Sequence, residues 1–296
     1  MAATFESLIK DIPMSYVVVI CIFGMSMLLE IFLAKYRLIK ARYGLHDTFV
    51  SLSLAVGNSA GSFIGIPVAA AVMTWLHQYR LFTIPMSAIW AWPLLIVLED
   101  FTYYWMHRFN HERRLFWAVH VNHHSSQHFN FSTALRQPVT AELLGVCWVL
   151  WLWLPLFGFP VYAVLLQRGF NLTYQAWIHT EAIGKLPRPI EFLLNTPSHH
   201  RVHHARNPSF IDRNFGGIFM IWDRLFGTFA EEKASEPIRF GLSQNIATHN
   251  PFRILFHEYV AIYRDLKSAK SIAHAVGYVF GRTGWRPVLD QRVNEG

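Results

Sequence analysis

The run from Ser15 to about Ala34 is apolar throughout except for Glu30, and it matches the roughly 20 helical residues needed to cross a bilayer core. Lipid offers a backbone no hydrogen-bond partners, so a chain built on such runs must close its bonds within helices or a sealed barrel. Four more runs follow. Phe49 to about Trp75 is rich in Gly, Ala and Ser, which permits close helix packing. Phe82 to about Trp105 leads into a charged, aromatic segment. Ala141–Phe157 and Val161–Ile178 are joined by the tight turn "GFP" at 158–160 and are expected to form a hairpin that enters and leaves by one face. No small-residue cleavage site follows the first run, which reads as an anchor rather than a removed leader. Only 15% of residues are charged, against about 25% in soluble domains. The expectation is a single all-α membrane unit over residues 1–296, a polytopic bundle of four to five transmembrane helices.

Basic residues set the orientation. The segment 35–47 carries Lys35, Arg37, Lys40 and Arg42, whereas the loop between the second and third runs offers Arg80 and His77. The positive-inside bias places 35–47 in the cytoplasm. The ends of the third and fifth runs then emerge there too, as does the tail from 180 onward. The net charge of +7 suits anionic lipid head groups, and no basic arm interleaved with aromatics points to nucleic acid. Cys21 and Cys147 lie inside apolar runs away from the histidines, so neither a disulfide framework nor a cysteine metal site is implied.

Sixteen histidines are a large surplus, and many stand in groups. His107 and His111 are four apart on a shared helix face, with Asp100 seven residues earlier on the same stripe. His120, His123 and His124 form "HVNHH"; His179 follows the fifth run. In "NTPSHHRVHH", Thr196 and Pro197 suit a helix start, after which His199, His200, His203 and His204 fall on one side of the helix. The topology read from lysines and arginines brings all of these groups to one membrane face. Imidazole is the commonest protein ligand for transition metals, and nine rings exceed one tetrahedral site, so a histidine-rich helical cap holding two metals is expected. Asp100 and Glu112 are candidates for fixing ring tautomers, and Glu112 for approaching a metal itself. His199 is expected beside the ligands, supporting them without binding metal, and His128 lies close to the second group but off its spacing. His46, His77, His249, His257 and His274 have no such context.

Zinc would serve hydrolysis or structure; iron would serve oxygen chemistry. The zinc peptidase pattern HExxH fails, because Leu115 stands where its second histidine belongs. No glycine-rich nucleotide fingerprint is present, so electrons for oxygen chemistry must arrive from outside. Tyr103, Tyr104, Trp105, Trp117, Phe129 and Trp177 are expected mostly in an interfacial aromatic belt.

The order "HRFNH", "HVNHH", "HRVHH" resembles the fatty acid hydroxylase and sterol desaturase superfamily of membrane di-iron oxygenases. "DFTYYWMHRFNHE", "HHSSQHFNFSTALRQ", "WIHTE" and "NTPSHHRVHH", followed by "IWDRLFGTF", are more similar to the branch that acts on alkylglycerols. The likeness covers approximately residues 90–230, with "GWRP" at 284–287 further along. It implies a cytosolic metal site with His107, His111, His120, His123, His124, His200, His203 and His204 as ligands, His179 as an additional one, and Glu112 as the acidic residue after the first motif. The implied reaction uses two iron ions and O2 to hydroxylate the carbon beside an ether oxygen, the hemiacetal then collapsing to an aldehyde and a glycerol lipid. The implied reductant is tetrahydrobiopterin or an electron-transfer protein. Histidine spacing alone leaves desaturation of a sterol or fatty acyl chain open, and a zinc hydrolase or structural site as well.

Overall fold

A computed structural model describes residues 14–287. Helix α1 (Met14–Lys35) and helix α2 (Leu45–His77) are long and apolar enough to cross a membrane. Few of their residues are buried, and Leu28, Phe32, Val56 and Phe63 point outward. Apolar surface of that extent is stable in contact with lipid rather than water, so the two helices point to a membrane protein. The charge within α1 has a use. Glu30 accepts a bond from the Phe131 amide at 2.9 Å and from the hydroxyls of Tyr43 and Thr180, which docks the anchor against the residue next to His179.

Helix α3 (Ala91–Glu112) begins later and ends later than the third apolar run. Residues 81–84 instead pair with the turn at Gly158, through Leu81 N to Leu156 O at 2.7 Å and Ile84 N to Gly158 O at 3.3 Å. Nothing between Trp105 and Glu112 breaks a helix, so α3 carries on and delivers His107 and His111. Arg113 then adopts an extended backbone, and helix α4 (Arg114–His124) folds back.

After α5 (Phe131–Ala134) and α6 (Val139–Leu143), the fourth apolar run departs from expectation. It is not one helix but α6, a 3-10 turn at Val149–Trp151 and α7 (Trp153–Phe157). Gly145 takes a positive φ of 65°. Two tryptophans turn inward to carboxylates, Trp148 Nε1 to Glu142 at 2.6 Å and Trp151 Nε1 to Glu99 at 3.0 Å. These bonds satisfy two buried carboxylates beside the broken segment. Gly61 and Gly65 of α2 make the room, since a Cβ on Gly65 would sit 2.5 Å from the Glu142 carbonyl.

Helix α8 (Val161–Trp177) returns from the Gly158 turn and ends just before His179. Leu95, Tyr103, Trp151, Leu154, Phe159 and Val164 pack as the core between α3, α8 and the broken segment. The remainder forms the cap: α9 (Arg188–Leu193), α10 (Pro197–His203), α11 (Ile221–Leu225), α12 (Pro251–Lys267) and α13 (Ile272–Phe280). Arg114 ties α4 to α12 through Glu258 at 2.9 Å and Asp265 at 2.5 Å. Among the described residues strand pairing is limited to isolated bridges, and the fold is all-helical.

Candidate metal centre

Three helices and one helix end converge on a single layer of imidazoles. Helix α3 supplies His107 and His111, α4 supplies His120, His123 and His124, the residue pair after α8 supplies His179, and α10 with its cap supplies His200, His203 and His204. The rings divide into two sets. His107, His111, His120, His124 and His203 offer ring nitrogens within 4.8 Å of one another, as do His123, His179, His200 and His204. Nε2 of His120 stands 3.1 Å from Nε2 of both His107 and His124. In the other set, Nε2 of His179 stands 2.9 Å from His200 and 3.3 Å from His123. Nitrogens held about 2.1 Å from one ion lie roughly 3.0–3.4 Å apart along the edges of an octahedron or tetrahedron, so these spacings fit a metal. Nε2 of His111, His203 and His204 and Nδ1 of His200 are buried with no hydrogen-bond partner. A cation satisfies such groups where water cannot reach.

Three of the rings are anchored through their outer nitrogens. His107 Nδ1 donates to the Phe215 carbonyl at 3.0 Å, His203 Nδ1 to the Arg213 carbonyl at 3.0 Å and His179 Nδ1 to the Gln175 carbonyl at 2.7 Å. Each bond fixes the tautomer that turns a bare Nε2 toward the cluster. Asp212 adds a carboxylate oxygen 3.5 Å from His111 Nδ1. One loop, residues 212–215, therefore touches three rings of the first set. Asp212 and Asn214 reach their places with φ of 56° and 57°, a left-handed conformation that Asp and Asn tolerate better than most residues. Asp223 holds the loop by accepting from the amides of Phe215 and Gly216, each at 2.7 Å. Burial pushes His203 down to about 4 and His179 down to about 3, and lowers His123, His124, His200 and His204 well below the usual imidazole range. The rings are neutral at physiological pH, the form that binds metal.

Two cavities flank the layer and share no histidine. One, of about 190 Å³, is floored by His107, His120, His123, His179 and His200 and reaches Asn58 and Leu172 on the apolar helices α2 and α8. The other, of about 610 Å³, meets His111, His124 and His203, with Trp117, Asp212 and His257 in its wall.

A profile of the fatty acid hydroxylase family matches residues 92–228, the stretch that carries all nine rings. The chain belongs to that family. It is similar to alkylglycerol monooxygenase of Xenopus tropicalis, 41% identical over 82% of this chain and 53% of the relative, and to that of Homo sapiens, 41% identical over 88% and 58%. Ornithine lipid hydroxylase of Rhizobium tropici is 24% identical over 62% of this chain and 59% of its own length. The chain spans 42–58% of the length of the alkylglycerol monooxygenases it matches. No solved structure matches it.

Within this hydroxylase-family fold the two acidic candidates touch no imidazole. Asp100 accepts from the amides of Ile218 at 2.6 Å and Phe219 at 3.0 Å, from Trp222 Nε1 at 3.0 Å and from Asn171 Nδ2 at 3.2 Å. It grips the far end of the loop that orients His107, so its hold on a ring tautomer is indirect. Glu112 pairs with Arg108 at 2.7 Å; the carboxylate beside a cluster ring is that of Asp212, which the histidine spacing did not disclose. His199 turns away to Glu191 at 3.1 Å, and Thr196 bonds Glu191 instead of capping α10. Pro197 does open that helix. His128 stays outside both sets. The aromatic belt is also corrected in part: Tyr103, Tyr104 and Phe129 are buried, Phe129 with its ring 5.1 Å from that of His204.

Proposed function

We propose that this chain is a membrane-bound di-iron oxygenase that hydroxylates a lipid C–H bond, next to the ether oxygen of an alkylglycerol. The observation that carries the reading is a cavity that reaches apolar helices and is floored by imidazoles of both sets. The names and identities of the relatives favour the ether lipid. His107, His111, His120, His124 and His203 would hold one iron and His123, His179, His200 and His204 the other. Bound iron supplies reductive activation of O2, with the balance RH + O2 + 2e⁻ + 2H⁺ → ROH + H2O.

The chain's own groups do the positioning. The carbonyls of Phe215, Arg213 and Gln175 hold the rings of His107, His203 and His179, and Asp100 and Asp223 hold the loop that presents the first two. Asp212, half-exposed beside His111, can hold a proton between that ring and water. Electrons come from tetrahydrobiopterin or from an electron-transfer protein, and the 610 Å³ cavity gives a small reductant access to the first set without crossing the lipid side. Residues 1–296 act as one unit with four to five crossings, and the metal layer faces the cytoplasm.

Supplying membranes with 1-O-hexadecylglycerol, tetrahydropterin and ¹⁸O2, then trapping products with borohydride, tests the reaction. Label in the trapped hexadecanol, lost in His107→Ala and His204→Ala, supports it. An unlabelled alkene would establish desaturation instead, and oxygen derived only from water would establish hydrolysis.

A further inference from the structure

The lipid-side cavity carries an ion pair where its surroundings predict oil. Arg168 of α8 and Glu142 of α6 line it as a buried ion pair at 3.1 Å. The Arg168 guanidinium lies 3.9 Å from the Trp148 ring centroid, and Trp148 Nε1 donates to the same carboxylate at 2.6 Å. Ionisable groups at membrane depth are costly and signal function. Two polar atoms in the wall are buried without partners: Nε of Arg168, a donor, and Oδ1 of Asn110, an acceptor. The Asn110 amide nitrogen finds only the sulfur of Met106, at 2.9 Å. A free donor and a free acceptor beside a neutralised ion pair match uncharged hydroxyl groups better than a phosphate or an ammonium.

Size decides which part of a lipid enters. At about 190 Å³ the cavity is smaller than the roughly 300–1,000 Å³ of sites that enclose a whole small ligand. It takes one end. Leu172 lines the cavity and is exposed on α8, a surface on which a chain can continue into the bilayer.

We infer that the lipid enters this cavity head first, that Arg168, Glu142 and Asn110 bind the hydroxyl groups of an uncharged polyol head, and that the alkyl tail stays in the membrane. A carbon a few bonds from those hydroxyls then lies over the imidazole floor, so these three residues set which C–H bond is presented. The inference rests on the oxygenase reading for the identity of the substrate and on cavity chemistry for its orientation.

The test is anaerobic equilibrium binding to the iron-loaded full chain in lipid nanodiscs. The probes are 1-O-hexadecylglycerol and hexadecyl propyl ether, which keeps the skeleton and lacks the hydroxyls. Hydrogen bonds to charged groups correspond to about tenfold or more in affinity, so the wild type should prefer the glycerol ether by at least that factor. Asn110→Leu, and the double variant Arg168→Met with Glu142→Gln that removes both charges together, should lose the preference while iron content and melting temperature hold. A wild type that binds the two ethers equally overturns the inference, as do variants that keep the preference. If the preference depends on these residues but no ¹⁸O enters any lipid, the oxygenase reading fails and the head-group site stands. If ¹⁸O enters and the variants still prefer the diol, the inference fails alone.

Discussion

Replacing Asp100 with Asn separates a positioning role from a chemical one. Both carboxylate oxygens of Asp100 accept, and all four partners are donors: two amides of the loop after Gly217, the Trp222 indole and Asn171. An amide keeps one acceptor and turns an NH2 group toward two of those donors. Two bonds to a charged group are lost, each worth about 1.5–3 kcal/mol, so destabilisation of at least about 3 kcal/mol and a melting shift of roughly 6 °C or more are expected. The effect then travels along the loop. Phe215 lies three residues before Ile218, and its carbonyl is the partner of His107 Nδ1. Loss of such an outer partner weakens metal binding by about 10- to 100-fold, and here it should weaken only the ion of the first set. Chelator competition on the iron-loaded protein, read as iron per chain beside a thermal melt, measures both. An Asp100→Asn protein with wild-type melting and both ions held at wild-type affinity would refute the argument.

Gly217→Ala attacks the same junction by volume, because its Cβ would stand 2.5 Å from Asn171 Oδ1 and 2.7 Å from Asp100 Oδ1; a loss of roughly 1–3 kcal/mol is expected, whereas Gly184→Ala, which meets nothing within 4 Å, should melt like the wild type. The metal-free protein should be labile to acid. His203 at about 4 and His179 at about 3 lie below the unfolded value of about 6.5, so the unfolded chain binds protons first. Their contribution is complete above about pH 6.5 and is lost as pH falls toward 4 and then 3; denaturant midpoints at pH 7.5, 6 and 5 should fall in that order, and a flat series would contradict neutral burial. Orientation is checked with single cysteines in a Cys21→Ser background: Ser235→Cys, exposed on the cap, should resist an impermeant thiol reagent in sealed right-side-out cells, and Arg80→Cys should react.

The long apolar helices and the clustering of the histidines were legible because both depend on local spacing. Apolar length marks α1 and α2, and the i, i+3 and i, i+4 intervals of "HVNHH" and "HRVHH" put rings on one helix face whatever lies around them. Histidine identity also survives in sequence, since no other side chain offers a ring nitrogen with a free lone pair. What escaped is carried by backbone or by distant contacts. The carbonyls of Arg213 and Phe215 have no signature of residue type, and the loop they sit on is shaped by Asp100, more than a hundred residues earlier. The fourth apolar run looked continuous because hydropathy does not register that Trp148 and Trp151 spend their indole donors on buried carboxylates. The head-group wall was hidden for the same reason: Glu142 and Arg168 are separated by the whole Gly158 turn and meet only when α8 folds back.

The central claim is that the imidazoles form two separate metal sites. Iron per chain, measured after anaerobic loading and gel filtration, tests it most directly with one variant in each set, His111→Ala in the first and His200→Ala in the second. Two ions are expected in the wild type and one in each variant, with the remaining ion held at wild-type affinity. One ion in the wild type, or loss of both from either variant, would contradict the account.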